Sequence, residues 1–147
     1  MPEVRRADAI WSGDLLSGRG TVSAGTSALF RDLPVSWASR TASPDGRTSP
    51  EELLAAAHAS CFSMAFSNHL AKNGTPATNL AVSSEVTFDK VGDGWKVTKS
   101  DLTVRGTVPG IDEATFRDLA DKAKEGCPIS GALKGNVALS VDATLEG

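Results

Sequence analysis

Two cysteines are the most reactive side chains in this sequence, and each has a distinctive setting. Cys61 lies in Ala57-His58-Ala59-Ser60-Cys61-Phe62-Ser63-Met64, a run dominated by small residues. Cys127 lies in Gly126-Cys127-Pro128, where one predicted helix closes and the next opens. Two thiols leave three roles open: core packing, metal binding or redox chemistry. A metal site would start from His58 and Cys61, three residues apart on one helix face, with His69 or Cys127 added. His58 and His69 are about 16 Å apart along a helix, too far to share one ion within a chain. Redox chemistry makes a different demand. The thiolate is the nucleophile, and a free cysteine has a pKa of about 8.5. A cysteine in mid-helix lacks the favourable field of a helix N-terminus, and apolar burial raises its pKa further. Such a thiol needs a cation. At a helix cap Ser, Asp or Asn bonds the backbone better than Cys, so Cys127 at that position asks for a chemical reason.

The element that must position Cys61 is a long helix over residues 50–73. Ser49 is its expected N-cap, Pro50 fits the first turn, and Glu52 completes a capping box. Gly74 offers the left-handed stop. Bulky residues (Leu53, Leu54, Phe62, Met64, Phe66, Leu70) fall on several faces, which predicts a helix buried on many sides.

Before this helix, residues 4–12 read as a first strand and residues 14–20, with two glycines, as a turn. Residues 21–23 resume a strand, residues 33–38 read as a third, and residues 42–48 as a loop. After it, Leu80, Val82, Ser84, Val86 and Phe88 alternate as a half-buried strand over residues 79–90. Gly92-Asp93-Gly94 signals a hairpin. In the returning strand the apolar parity changes between Val97 and Leu102, which predicts a bulge or bend. Asp112 caps a second helix with Phe116, Leu119, Ala120 and Ala123 at helical spacing. A third, residues 129–134, follows Cys127 and Pro128, and residues 137–143 alternate as a last strand. The order β-β-β-α-β-β-α-α-β lacks regular strand–helix alternation, so the class is α+β with antiparallel sheet.

The 147 residues fit one domain, 1–147, with 40% hydrophobic and 22% charged residues. A net charge of −3 gives no electrostatic case for nucleic acid or an anionic membrane. No run is long and apolar enough to span a bilayer, and the N-terminus shows no signal peptide, so the expected location is cytoplasmic. Two cysteines in a reducing compartment argue against a permanent structural disulfide.

Several motifs together resemble the OsmC/Ohr family of thiol-dependent peroxidases. They are Ser49-Pro50-Glu51-Glu52-Leu53 with Ala56-Ala57-His58-Ala59-Ser60-Cys61-Phe62-Ser63-Met64-Ala65, then Val108-Pro109-Gly110-Ile111-Asp112, then Ala123-Lys124-Glu125-Gly126-Cys127-Pro128-Ile129-Ser130. The opening Trp11-Ser12-Gly13-Asp14 and Gly18-Arg19-Gly20-Thr21-Val22-Ser23 also match, so the similarity spans nearly the whole chain. The wording around Cys61 is closer to the OsmC branch than to Ohr. The resemblance implies an OsmC-like fold, with two antiparallel sheets wrapped around central helices in an intertwined homodimer. It implies reduction of organic hydroperoxides and hydrogen peroxide to alcohol or water, with no cofactor and with a dithiol reductant such as a lipoyl protein.

By the same resemblance Cys61 is the peroxidatic thiol and Cys127 the resolving thiol, joined as a disulfide during turnover. The activating cation is Arg40 on the OsmC pattern or Arg19 on the Ohr pattern; Arg47 reads as a solvated turn residue. Glu51 matches the glutamate that holds the arginine, although an acid there also complements the helix dipole. Glu51 and Cys61 are ten residues apart, about 15 Å along a helix, so a composite site across a subunit interface is expected. Phe62, Met64, Phe66, Trp37 and Ile129 are candidate cleft residues that read equally as core. His58 has no role on this reading. The competing class is a non-catalytic stress-related binding protein of the same fold, in which both cysteines are dispensable.

Overall fold

A computed structural model describes residues 1–147. The chain forms two compact units, residues 1–53 and 54–147, each taken by itself below.

The first unit is a three-stranded antiparallel sheet in the order β1 (Ala7–Ser12), β2 (Arg19–Ala24), β3 (Leu33–Val35). Gly20 stands opposite Trp11 in the β1–β2 register. A Cβ at Gly20 would lie 2.6 Å from the Trp11 ring, so only glycine lets the indole lie across β2. The predicted third strand is shorter than residues 33–38. It ends at Val35, and a short helix α1 (Trp37–Thr41) takes over. The reason is a reciprocal cap between Ser36 and Ser39: each hydroxyl accepts from the other's backbone N–H, both at 3.1 Å. The 42–48 loop is tied back by Ser39, whose hydroxyl donates to the Thr48 carbonyl at 2.8 Å, and by Thr48 N–H to the Pro34 carbonyl at 3.0 Å.

Helix α2 (Pro50–Lys72) starts as expected, with Ser49 Oγ accepting from Glu52 N–H at 3.1 Å. The Glu52 carboxylate accepts from the Thr48 hydroxyl at 2.6 Å and not from the Ser49 N–H, so only the Ser49 half of the predicted capping box forms. At the other end Gly74 has φ +82°, and the N–H groups of Thr75 and Gly74 bond the carbonyls of Leu70 and Ala71, a Schellman stop.

In the second unit, β4 (Asn79–Val91) and β5 (Gly94–Thr107) form an antiparallel hairpin. The pairing jumps from Phe88↔Val97 to Thr87↔Lys99, leaving Thr98 as the extra residue of a bulge. That resets the parity, so Ser100, Leu102, Val104 and Gly106 face inward. Helices α3 (Glu113–Gly126) and α4 (Pro128–Leu133) then carry the chain across to β6 (Ala138–Glu146). Strand β6 pairs with β5 in parallel, so this sheet is mixed, not wholly antiparallel as expected. The two helices supply the long crossover that a parallel pairing requires.

Phe62, Phe66 and Leu70 of α2 meet Leu102 and Val104 of β5 and Phe116, Ala120 and Ala123 of α3 in one core. The Phe66 and Phe116 rings are 5.0 Å apart. A Cβ at Gly106 would meet the Phe116 ring at 2.7 Å, so glycine there is what lets α3 approach the sheet. Helix α2 is buried along this face alone. Ala56, Ser60, Met64 and Ser67 lie exposed on the other side, Met64 at 72%, so the expected burial on many sides is not met within one chain. Replacing Phe66 with Ala is expected to cost about 3–5 kcal/mol of stability, read as a lower urea midpoint.

Candidate active site

The two cysteines meet. Cys61 Sγ and Cys127 Sγ are 2.9 Å apart, both free thiols, with Cys61 half-buried on α2 and Cys127 1% exposed at the α3–α4 junction. Cys127 is both the C-cap of α3, its N–H bonded to the Ala123 carbonyl, and the N-cap of α4, with Pro128 in the first turn.

The surroundings treat the two sulfurs differently. Burial pushes the Cys61 thiol up, and its hydrogen bond with Cys127 adds to this, against a smaller opposing pull from Ile129 N–H. Cys127 feels burial too, but the net direction is down. The downward pull comes from the contact with the Cys61 sulfur and from the polar groups of Ser130 and Ile129 at the start of α4. Either sulfur can carry the proton they share.

Arg40 and Glu51, both in the first unit, form a two-pronged ion pair: Arg40 Nε to Glu51 Oε1 at 3.1 Å and Nη2 to Oε2 at 2.8 Å. Glu51 is 8% exposed. The guanidinium carbon also sits 5.6 Å from the Trp37 ring centre, a cation–π arrangement. Arg40 lines an apolar cleft of about 320 Å³ with Trp11, Leu15, Val35, Trp37 and Pro50. Arg19 is exposed on β2 and lines a separate, more polar cleft of the same unit. Arg47 lies there too, 3.7 Å from Asp45. Of the proposed cleft residues, Trp37 lines the apolar cleft and Met64 lines an open one in the second unit. Phe62 and Phe66 are fully buried core, Met64 is exposed, and Ile129 packs against the core.

Sequence reasoning left out a buried polar chain beside the thiols. His58 is 0% exposed. Its Nδ1 is 2.6 Å from Ser100 Oγ and its Nε2 is 2.8 Å from Ser130 Oγ. Ser100 Oγ is in turn 2.9 Å from Ser84 Oγ. The available signal was serine at the inward parity of β4 and β5, among Val82, Val86, Leu102 and Val104.

Two free thiols in contact within an α+β fold form an arrangement that dithiol redox chemistry requires. A family model described as OsmC-like protein matches residues 43–142. Peroxiredoxin OsmC of Escherichia coli K12 is 42% identical over 135 residues, 92% of this chain and 93% of that protein. The organic hydroperoxide resistance protein of Xanthomonas axonopodis pv. citri is 33% identical over 95 residues, 64% of this chain and 65% of that one. Among solved structures, an organic hydroperoxide resistance protein from Elizabethkingia anophelis superposes with a TM-score of 0.77 at 21% identity, covering 99% of this chain and 100% of that one. OhrB of Bacillus subtilis gives 0.72 at 23% identity, covering 96% and 98%. The chain belongs to the OsmC-like family and has its fold. No helix is long and apolar enough to cross a membrane.

Burial holds the His58 pKa below the ordinary value of 6.5. The folded form therefore stays neutral where the unfolded chain takes up a proton, and stability falls as pH drops below about 6.5. Urea midpoints measured from pH 7.5 to 5 should decline for the wild type and show a shallower decline for His58→Gln.

Proposed function

We propose that this chain is a thiol peroxidase that reduces organic hydroperoxides, with Cys61 as nucleophile and Cys127 as resolving thiol. The observation that carries the reading is the 2.9 Å contact between the two free sulfurs in an OsmC-like fold. In the first step the Cys61 thiolate attacks the terminal oxygen of a hydroperoxide. An S–O bond forms, the O–O bond breaks, and the alkoxide leaves as alcohol after taking a proton. The Cys127 sulfur then attacks the Cys61 sulfenic acid, an S–S bond forms and water departs. A dithiol reductant restores both thiols by exchange, and a lipoyl protein is a suitable dithiol.

A cation at Cys61 is essential to this reading, because burial pushes the Cys61 thiol up. Arg40 is our candidate over Arg19. Its guanidinium is held in a fixed plane by Glu51 and Trp37, at the rim of an apolar cleft suited to alkyl or aryl groups. With Glu51 ten residues ahead of Cys61 on α2, about 15 Å along the helix, Arg40 and Glu51 are assigned to the Cys61 of a second copy. The exposed face of α2 (Ala56, Ser60, Met64, Ser67) and the exposed strand β1 support a homodimer that covers them.

Turnover of tert-butyl hydroperoxide with a dithiol reductant tests the proposal. Activity in the wild type and its loss in Cys61→Ser are expected; turnover that survives in Cys61→Ser would reject the assignment. The apolar cleft predicts a higher kcat/KM for tert-butyl hydroperoxide than for hydrogen peroxide. Arg40→Lys keeps the charge but loses the planar fork, and kcat/KM should fall about tenfold or more. An unchanged value would remove Arg40 from the site.

A further inference from the structure

Helix α4 carries Cys127 at its N-cap, yet its own sequence does little to anchor it. It is six residues long, and Ser130 is its one buried residue. Ile129 and Leu133 are half-buried, while Pro128, Gly131 and Ala132 are exposed. A helix that short does not hold itself in water. Apolar burial would seat it, but that force is non-directional and lets a helix slide. A buried hydroxyl acts differently, because its hydrogen bond has a preferred length and line.

The partner of that hydroxyl is His58 of α2, whose Nε2 lies 2.8 Å from Ser130 Oγ. The ring is held from its other side too. Nδ1 is 2.6 Å from Ser100 Oγ on β5, and Ser100 Oγ is 2.9 Å from Ser84 Oγ on β4. His58, Ser100 and Ser130 are all buried, and no buried side-chain polar atom is left unsatisfied. Apolar side chains of the same shape would cost little stability here, so what the polar choice adds is direction. On α2, His58 stands three residues before Cys61, about one turn. On α4, Cys127 and Ser130 bracket the first turn, which the Gly131 N–H closes on the Cys127 carbonyl at 2.9 Å. Two side-chain contacts therefore join the same two segments, His58 to Ser130 and Cys61 to Cys127. The remaining ties of this junction run to α3. They are the Cys127 N–H on the Ala123 carbonyl and the exposed Lys134–Glu125 pair, which carries little weight.

We propose that His58 is a positioning residue for the thiol pair: as a clamp between α2 and α4 it keeps the two sulfurs within bonding reach, and so sets how readily their disulfide forms. The inference rests on the reading of Cys61 and Cys127 as the redox pair. From 2.9 Å the sulfurs need approach by only about 1 Å to bond, a displacement within reach of side-chain rotation while the clamp stays closed. Such preorganisation raises the effective concentration of one thiol at the other. Without the Ser130 contact α4 gains freedom in the dithiol state, and closing the ring costs more.

The test is thiol–disulfide exchange with glutathione, at one pH and without peroxide. The S–S bond of one glutathione disulfide breaks, the Cys61–Cys127 S–S bond forms, and the two thiol protons pass to two glutathiones. The protein sulfurs are oxidised as the glutathione sulfurs are reduced. The equilibrium constant, read by acid quench, thiol alkylation and mass, is the effective concentration of the pair. Ser130→Ala removes only the hydroxyl and should lower this constant about tenfold, or about 30 mV for a two-electron couple. Substitutions of His58 separate its two contacts. A Gln amide reaches to where Nε2 lies, and an Asn amide to where Nδ1 lies. His58→Gln should therefore keep most of the wild-type constant, and His58→Asn should fall with Ser130→Ala. A wild-type constant in folded Ser130→Ala or His58→Asn would overturn the proposal, and a lowered urea midpoint beside it would assign the contact to packing alone. Should the His58 variants fail to fold, Ser130→Ala decides by itself. Failure of the underlying reading looks different. A wild-type protein that forms no Cys61–Cys127 disulfide in glutathione disulfide removes the redox pair and the clamp with it. A lowered constant in variants of a protein without peroxide turnover faults the proposed activity and keeps the clamp.

Discussion

A sulfur–sulfur contact is the constraint that the second unit is built to satisfy. Cys61 is carried on α2 and Cys127 on the α3–α4 junction, 66 residues later, and the sulfurs still meet at 2.9 Å. Holding them there requires α2 and α3 to share a core, which the Phe62–Phe66–Phe116 cluster provides. It requires α3 to sit close to the sheet, which Gly106 permits. It also requires the chain to stop and turn at Cys127, which Pro128 and the Cys127 N–H bond to the Ala123 carbonyl secure.

The same placement sets the chemistry. Burial disfavours both thiolates; the polar groups at the start of α4 act on both sulfurs, and the net direction is down for Cys127 and up for Cys61. A resolving thiol benefits from such poise, since only its thiolate attacks a sulfenic acid. Cys61, proposed as the peroxidatic thiol, stays raised by burial and on that proposal depends on an outside cation. The Arg40–Glu51 fork has the required properties: permanent charge, fixed orientation, and a position at the edge of an apolar cleft. On this account the division of labour between the sulfurs comes from their surroundings and not from the cysteines themselves.

Much of this was legible in the sequence because it is written locally. Ser49, Pro50 and Gly74 bound α2 within a few residues of where the structure has its ends, and the parity change after Val97 located the Thr98 bulge. Cys61 with Cys127 and Arg40 with Glu51 were singled out by family resemblance, and in the structure each two side chains are in contact. What stayed hidden depends on distant or competing signals. Trp37 after Leu33 and Val35 continues an apolar alternation, and only the Ser36–Ser39 cap turns it into helix. Alternation in β6 reports which face is buried but carries no information on direction, so its parallel pairing was missed. His58 gave no hint of its partners because Ser100 and Ser130 lie 42 and 72 residues away.

The central claim is that Cys61, and not Cys127, meets the peroxide. One equivalent of tert-butyl hydroperoxide added to each single-cysteine variant, followed by dimedone trapping and peptide mass analysis, addresses it directly. The account predicts rapid, stoichiometric labelling at Cys61 in Cys127→Ser and little at Cys127 in Cys61→Ser. Rapid labelling of Cys127 with Cys61 left unmodified would contradict it and exchange the roles of the two thiols.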